Sequence, residues 1–238
     1  MSAILDAIEL AHSRGATICT FPELAITGFH REIVSLAKPD LIAPEVQRLQ
    51  TICAQKRIAV AVGSPTFGDD GGRYNSHLFI DEEGELLSTV SKIGLTPAEA
   101  TFFRPGVSRP IAMLHGVRCS AVICREIEDS PQIGEQLSAG SVDVIFWPGQ
   151  MRPDPAKPIT DPPAHVVQAQ ALAQALRAHV IQANWPNALN RPEESENTGY
   201  SAVIAPSGEL LFRLPREASG LAVFSLGKRK FEWHAMGQ

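Results

Sequence analysis

The feature that most constrains this chain is a set of short apolar runs, each of strand length and each cut off by a polar or turn-forming residue. Residues 16–21 (ATICTF), 58–63 (IAVAVG), 142–147 (VDVIFW) and 179–184 are such runs. Near-continuous apolar stretches this short predict strands buried on both faces. Between them lie segments with a helical period. Residues 3–14 place Ile4, Leu5, Ile8 and Ala11 on one side, and 43–55 and 164–178 read as helices too. A further helix is expected to begin near Ser130-Pro131, with the serine as cap and the proline in the first position. Three hairpins complete the pattern: 74–81 with 86–92, 110–114 with 117–124 about His115-Gly116, and 200–205 with 209–213 about Ser207-Gly208. A last strand is expected over 221–226. Residues 94–109 read as a loop, as do 148–163, which hold six prolines. Helices interspersed with pairs of strands predict α/β layering with mixed sheets.

Composition narrows the function. With 238 residues, 44% apolar and 20% charged, the chain can bury a large core, and disorder, collagen and coiled coil are excluded. No linker-like stretch divides it, so residues 1–238 are expected to form a single domain. The net charge of −5 weighs against nucleic acid as a partner, because a phosphate backbone calls for a basic face. Runs such as Ile58–Val62 are far short of the roughly 18 residues of a spanning helix, so no membrane segment is expected. Asp6 and Glu9 interrupt the apolar N-terminus, which is not a signal peptide. Four cysteines without a C-x-x-C pair support neither a disulfide framework nor a zinc site, and a cytoplasmic protein with reduced thiols is expected. The seven histidines show no ligand spacing, and neither a metal nor another cofactor is expected.

Reactive side chains stand at or just beyond the carboxyl ends of three predicted strands, where ligands of layered α/β folds tend to bind. Glu23 follows Phe21-Pro22, Lys92 follows Val90-Ser91, and Cys124 ends the run Ser120–Ile123. Taken singly, each has a plainer explanation: a glutamate or lysine after a strand is usually a solvated loop residue, and a cysteine ending an apolar strand is usually a small buried hydrophobe. Cys19, Cys53 and Cys119 take that explanation. A cysteine paired with a histidine remains open on the residues alone, since spatial neighbours are invisible in a sequence.

Together the segments match a pattern. Phe21-Pro22-Glu23-Leu24 with Thr27-Gly28-Phe29, Ser91-Lys92-Ile93 with Glu99 and Phe103-Arg104-Pro105-Gly106, and Ile123-Cys124-Arg125-Glu126 with Pro131 resemble the nitrilase (carbon–nitrogen hydrolase) superfamily. Tyr74-Asn75-Ser76, Ala183-Asn184 and Gly199-Tyr200-Ser201 support the likeness, which runs from about residue 3 to 226. The resemblance implies an αββα sandwich, commonly assembled as a homodimer or higher homo-oligomer. It also implies a catalytic set of Glu23, Lys92 and Cys124, with Glu99 matching a second glutamate near the cysteine. The implied reaction is hydrolysis of a non-peptide C–N bond of a small amide through a cysteine thioester. The other reading is a catalytically silent member that binds a small acyl compound or a partner.

The chain departs from the family in places. Relatives usually open with a strand before the first helix; this chain starts at the helix, which predicts an exposed sheet edge or a groove. Arg125 stands where true nitrilases commonly have tryptophan, which argues against a nitrile substrate. It is expected either to pair with Glu126 or Glu128 or to bind a substrate carboxylate through its planar fork. Leu172–Leu176 replaces a charged stretch of relatives and reads as core or interface. Trp147 is expected to form a wall of the pocket or to be a core residue at a strand end, and the 152–163 loop to be a lid or a connection.

Overall fold

The computed structural model describes residues 1–29, 33–151, 160–187, 198–215 and 218–236. Its first sheet is built on the run that the sequence marks most clearly. Strand β2 (Ala59–Phe67) lies between β1 (Ile18–Thr20), parallel to it, and β3 (Arg73–Ile80), antiparallel; β4 (Leu86–Ser91) closes the order β1-β2-β3-β4. The alternation of a strand sends Val60 and Val62 to one face and Ala59 and Ala61 to the other. Both faces are apolar because both are covered. Helices α1 (Ser2–Ser13) and α3 (Pro39–Lys56) cover the first, burying Ile8, Ala11, Leu49 and Cys53 against it.

The second sheet has the order β10-β9-β8-β7-β6-β5. It is formed by β5 (Ala112–Leu114), β6 (Val117–Ala121), β7 (Val144–Gly149), β8 (His179–Asn184), β9 (Ala202–Ile204) and β10 (Leu210–Arg213). Its outer face packs on α4 (Ser130–Gln136) and α5 (Ala164–Leu176) through Ile133, Val166, Leu172 and Leu176. The inner faces of the two sheets meet through Phe79, Val90, Ala121, Phe146 and Ile181. This is the αββα sandwich the resemblance implies. Leu172 and Leu176 belong to the core of the second helix layer. A short helix, α2 (Ile33–Leu36), and strand β12 (Glu232–Ala235) have no counterpart in the sequence reading; β12 pairs with β11 (Gly220–Val223), the strand expected over 221–226, which starts one residue earlier and ends three residues sooner.

Several boundaries differ from expectation. Strand β6 ends at Ala121, so Cys124 stands three residues past it and opens a 3₁₀ turn over Cys124–Glu128. Helix α3 starts at Pro39, where proline supplies a helix-compatible φ at the first turn. Helix α4 is flanked by Asp129, with Ser130 already its first residue. The 152–159 part of the proposed lid lies outside the described residues.

Among the described residues β1 pairs with β2 alone. Its other edge faces a slot of about 730 Å³, bounded across by β11 and lined by Ile18, Thr20, Phe146, Ile181, Leu221 and Phe224. No helix among the described residues is long and apolar enough to cross a membrane.

Candidate active site

Three chain segments that end near one edge of the sandwich bring the predicted residues together. Glu23 follows β1 in a turn closed by the amides of Thr27 and Gly28 on the Leu24 carbonyl. The indole N–H of Trp185, just past β8, donates to the Glu23 carbonyl at 2.8 Å. Lys92 follows β4, its amide donating to the Asn75 carbonyl of β3. Cys124 is reached through the amide of Val122, which donates to the Phe146 carbonyl of β7. Leu24 and Cys124 both have positive φ, 53° and 54°. A branched or sulfur-bearing side chain in this region costs about 1–3 kcal/mol, so the surrounding contacts must over-determine it.

Lys92 and Glu23 are almost wholly buried, and Lys92 Nζ donates to Glu23 Oε1 at 2.8 Å and to Glu99 Oε1 at 2.6 Å. Asn75 Nδ2 also donates to Glu23 Oε1, at 2.7 Å. The other carboxylate oxygen, Glu23 Oε2, is buried and accepts no hydrogen bond among the described residues. Glu99 is fixed on its far side by the Thr96 amide on Oε2, at 2.8 Å. Beside Glu99 runs an apolar groove of about 250 Å³, lined by Leu24, Phe29, Phe102 and Phe103.

Two carboxylates thus share one ammonium in a region of low dielectric. Burial, and then the charge of Glu99 working against the pull of Lys92, hold the Glu23 carboxyl above its ordinary value. Burial opposes the charge on Lys92, but Glu23, Cys124 and Glu99 outweigh it, and the ammonium is retained. The ammonium of Lys92 favours the thiolate of Cys124. Its pull is real but smaller than the cost of burial and the repulsion from Glu23, and the thiol is pushed up to about 12. At rest the sulfur is a thiol, beside a buried ammonium that bonds two glutamates. The Gln150 backbone N–H donates to the sulfur, and Met151 Sδ lies 3.5 Å from it.

Trp147 and Arg125 do not take the substrate-facing places considered for them. Trp147 is fully buried on the α5 side of β7, edge-on to His165, and donates from Nε1 to the Cys124 carbonyl at 2.9 Å. It braces the cysteine's turn from below rather than walling a pocket. Arg125 pairs neither with Glu126 nor with Glu128. Both terminal nitrogens of its fork reach Asp129, one turn on, at 3.1 and 3.2 Å, and this fork is therefore already occupied. Asn75, Trp185 and Asn184 are the site-building residues the sequence reading leaves without a role. The Asn184 side chain brackets Met151, accepting from its amide and donating to its carbonyl at 2.6 and 2.7 Å. The signal for all three is position: they stand within or just past strands that end at this edge.

Residues 1–227 match the family model described as carbon-nitrogen hydrolase. The chain is 29% identical over 221 residues to an (R)-stereoselective amidase of a Pseudomonas species, covering 91% of this chain and 75% of that one. It is 25% identical to the glutamine-dependent NAD(+) synthetase of Thermotoga maritima over 87% of its length, which is 35% of that larger protein. Among solved structures, a cysteine-to-alanine mutant of the amidase from Nesterenkonia sp. AN1 in complex with butyramide superposes with a TM-score of 0.76 at 23% identity, covering 90% of this chain and 79% of that one. That last likeness is one of fold.

Proposed function

Since the chain belongs to the carbon–nitrogen hydrolase family, we propose that it hydrolyses the amide bond of a small molecule through a thioester on Cys124, with residues 1–238 acting as one hydrolase domain. The observation that carries this reading is the buried, unpartnered Oε2 of Glu23, whose other oxygen is already held by Lys92 and Asn75. A free carboxylate oxygen with a raised pKa, next to a neutral thiol, is a base awaiting a proton.

The sulfur of Cys124 attacks the amide carbon while its proton passes to Glu23. Lys92 and the backbone N–H following Cys124 stabilise the oxyanion; removing one such donor typically costs about 10²–10³ in rate. Glu23 then gives the proton to the leaving nitrogen, the C–N bond breaks, and ammonia or an amine departs. Water enters, loses a proton to Glu23 and attacks the thioester. The acid is released, and the proton on Glu23 returns to the sulfur. Until the carbonyl arrives the thiol stays protonated, so ionisation is coupled to substrate binding and idle oxidation of the sulfur is limited. The groove of Leu24, Phe29, Phe102 and Phe103 beside Glu99 supports an apolar acyl group on the substrate.

Incubation with a panel of small aliphatic and aromatic amides, read by ammonia release and by intact mass, tests the reading. The expected result is turnover together with an acyl adduct on Cys124, both lost in Cys124→Ala. Turnover that persists in folded Cys124→Ala overturns the mechanism. A folded protein that binds amides without releasing ammonia is instead a silent family member.

A further inference from the structure

A second buried ionic group lies behind the proposed catalytic cluster and touches none of its side chains. Glu126, two residues past Cys124, is fully buried, and so is Arg109. Glu126 Oε1 accepts from the amides of Ile93 and Gly94 at 2.7 and 2.9 Å and from Arg109 Nη2 at 2.8 Å. Its Oε2 accepts from the Ile123 amide at 2.7 Å and from Arg109 Nη1 at 3.1 Å. Arg109 continues to the carbonyl of Ala121, the last residue of β6.

The partners are informative. Ile93 and Gly94 directly follow Lys92, and Ile123 directly precedes Cys124. One carboxylate therefore joins the backbone beside the ammonium to the backbone beside the sulfur, across two sheets. Close packing around it leaves no slack: a side chain at position 94 would collide with Asp129 and press on Glu126 Cγ. Burial disfavours the charge on Glu126, but Arg109 and the amides outweigh it and hold the carboxyl below its ordinary value. Stability alone does not account for such a pair, since apolar residues of similar volume usually stabilise as well or better. Geometry does: Cys124 sits at a positive φ that its neighbours must enforce, and a 1 Å misplacement in an active site can cost about 10²-fold in rate.

We propose that Glu126, clamped by Arg109, is a positioning residue that fixes the Lys92 loop and the Cys124 turn relative to each other. The consequence for turnover rests on the amidase reading above; the consequence for the sulfur does not. Two variants test it: Glu126→Gln, which keeps the shape but sets a donor against the Ile123 amide, and the apolar double variant Arg109→Leu with Glu126→Leu, which leaves no unpaired buried charge. Each is assayed for kcat and KM, for thermal midpoint, and for the pH dependence of Cys124 alkylation by iodoacetamide. The expected result is a fall in kcat of about 10²-fold with little change in KM, and an alkylation profile displaced from that of the unaltered protein. Glu126→Asp should restore part of both. Should Glu126→Gln not fold, the double variant decides. A folded variant with unaltered kcat and alkylation profile overturns the proposal. Failure of the amidase reading appears separately, as absence of turnover in the unaltered protein, and leaves the alkylation comparison intact.

Discussion

At the scale of single residues, the position of one proton governs the chemistry proposed for this site. Glu23 must be ionised to act as base, and burial together with the neighbouring Glu99 raises its pKa above the ordinary 4.5. Activity should therefore rise with pH through that raised value, and the acid limb of kcat/KM should lie above 4.5. The sign for stability is opposite: a folded-state pKa above the unfolded one favours folding at low pH and loses that contribution as pH climbs through the folded value. Asn75 donates to the charged form of Glu23. Asn75→Ala should thus move the acid limb to still higher pH, and loss of the buried hydrogen bond should cost about 1–3 kcal/mol. A pH–rate profile and a thermal melt check both; an acid limb that does not move would remove Asn75 from the account of Glu23. The sequence exposes Glu23, Lys92, Glu99 and Cys124 because each falls in a motif of fixed order. It hides the work of Asn75, which lies inside β3 and reaches the cluster only because Asn75, His77 and Phe79 share one face of that strand.

At the scale of elements, the strands were legible and their ends were not, for a shared reason. Strand β2 runs through Pro65 and β7 through Pro148, where a sequence reading stops them. Both prolines lie beyond the last residue paired on one side: β1 reaches Ala61 of β2, and β6 reaches Phe146 of β7. A strand with one partner tolerates a missing N–H. This asymmetry opens the edge of the second sheet where Cys124 turns away from β6, and Trp147 fills the space beneath. Trp147→Phe keeps an aromatic ring in the core but leaves a void where the larger indole packed and the Cys124 carbonyl without its donor. The variant should lose about 1–3 kcal/mol or more of stability, from the unpaired carbonyl together with the void, and its kcat should drop more than its KM rises, because the turn that aims the sulfur loosens. Unaltered kcat with an unaltered thermal midpoint would show the bond to be idle. Asn184, which ties the Gln150–Met151 segment to β8, is open to the same treatment.

At the scale of the whole molecule, the layers follow from the sequence while the seams between them do not. Helix faces and buried strands are local patterns. Which strands become neighbours is decided by long-range pairing, to which a single sequence is nearly silent. The unpaired side of β1 is one such seam: among the described residues β1 has a single partner, β2, and its other edge lies against the slot facing β11. The parallel ladder fixes which amides are spare. The Ala59 amide donates to the Thr17 carbonyl and the Phe21 amide to the Ala61 carbonyl. Cys19 and Phe21 therefore point their N–H groups at β2, while Ile18 and Thr20 point theirs into the slot. The Thr20 hydroxyl is buried there without a partner among the described residues. Amide hydrogen exchange resolved to single residues should find Cys19 and Phe21 protected and Ile18 and Thr20 exchanging many-fold faster. Equal protection of all four would mean that the slot is filled in solution by another strand, and the β1 edge would then be an interior seam of the sheet.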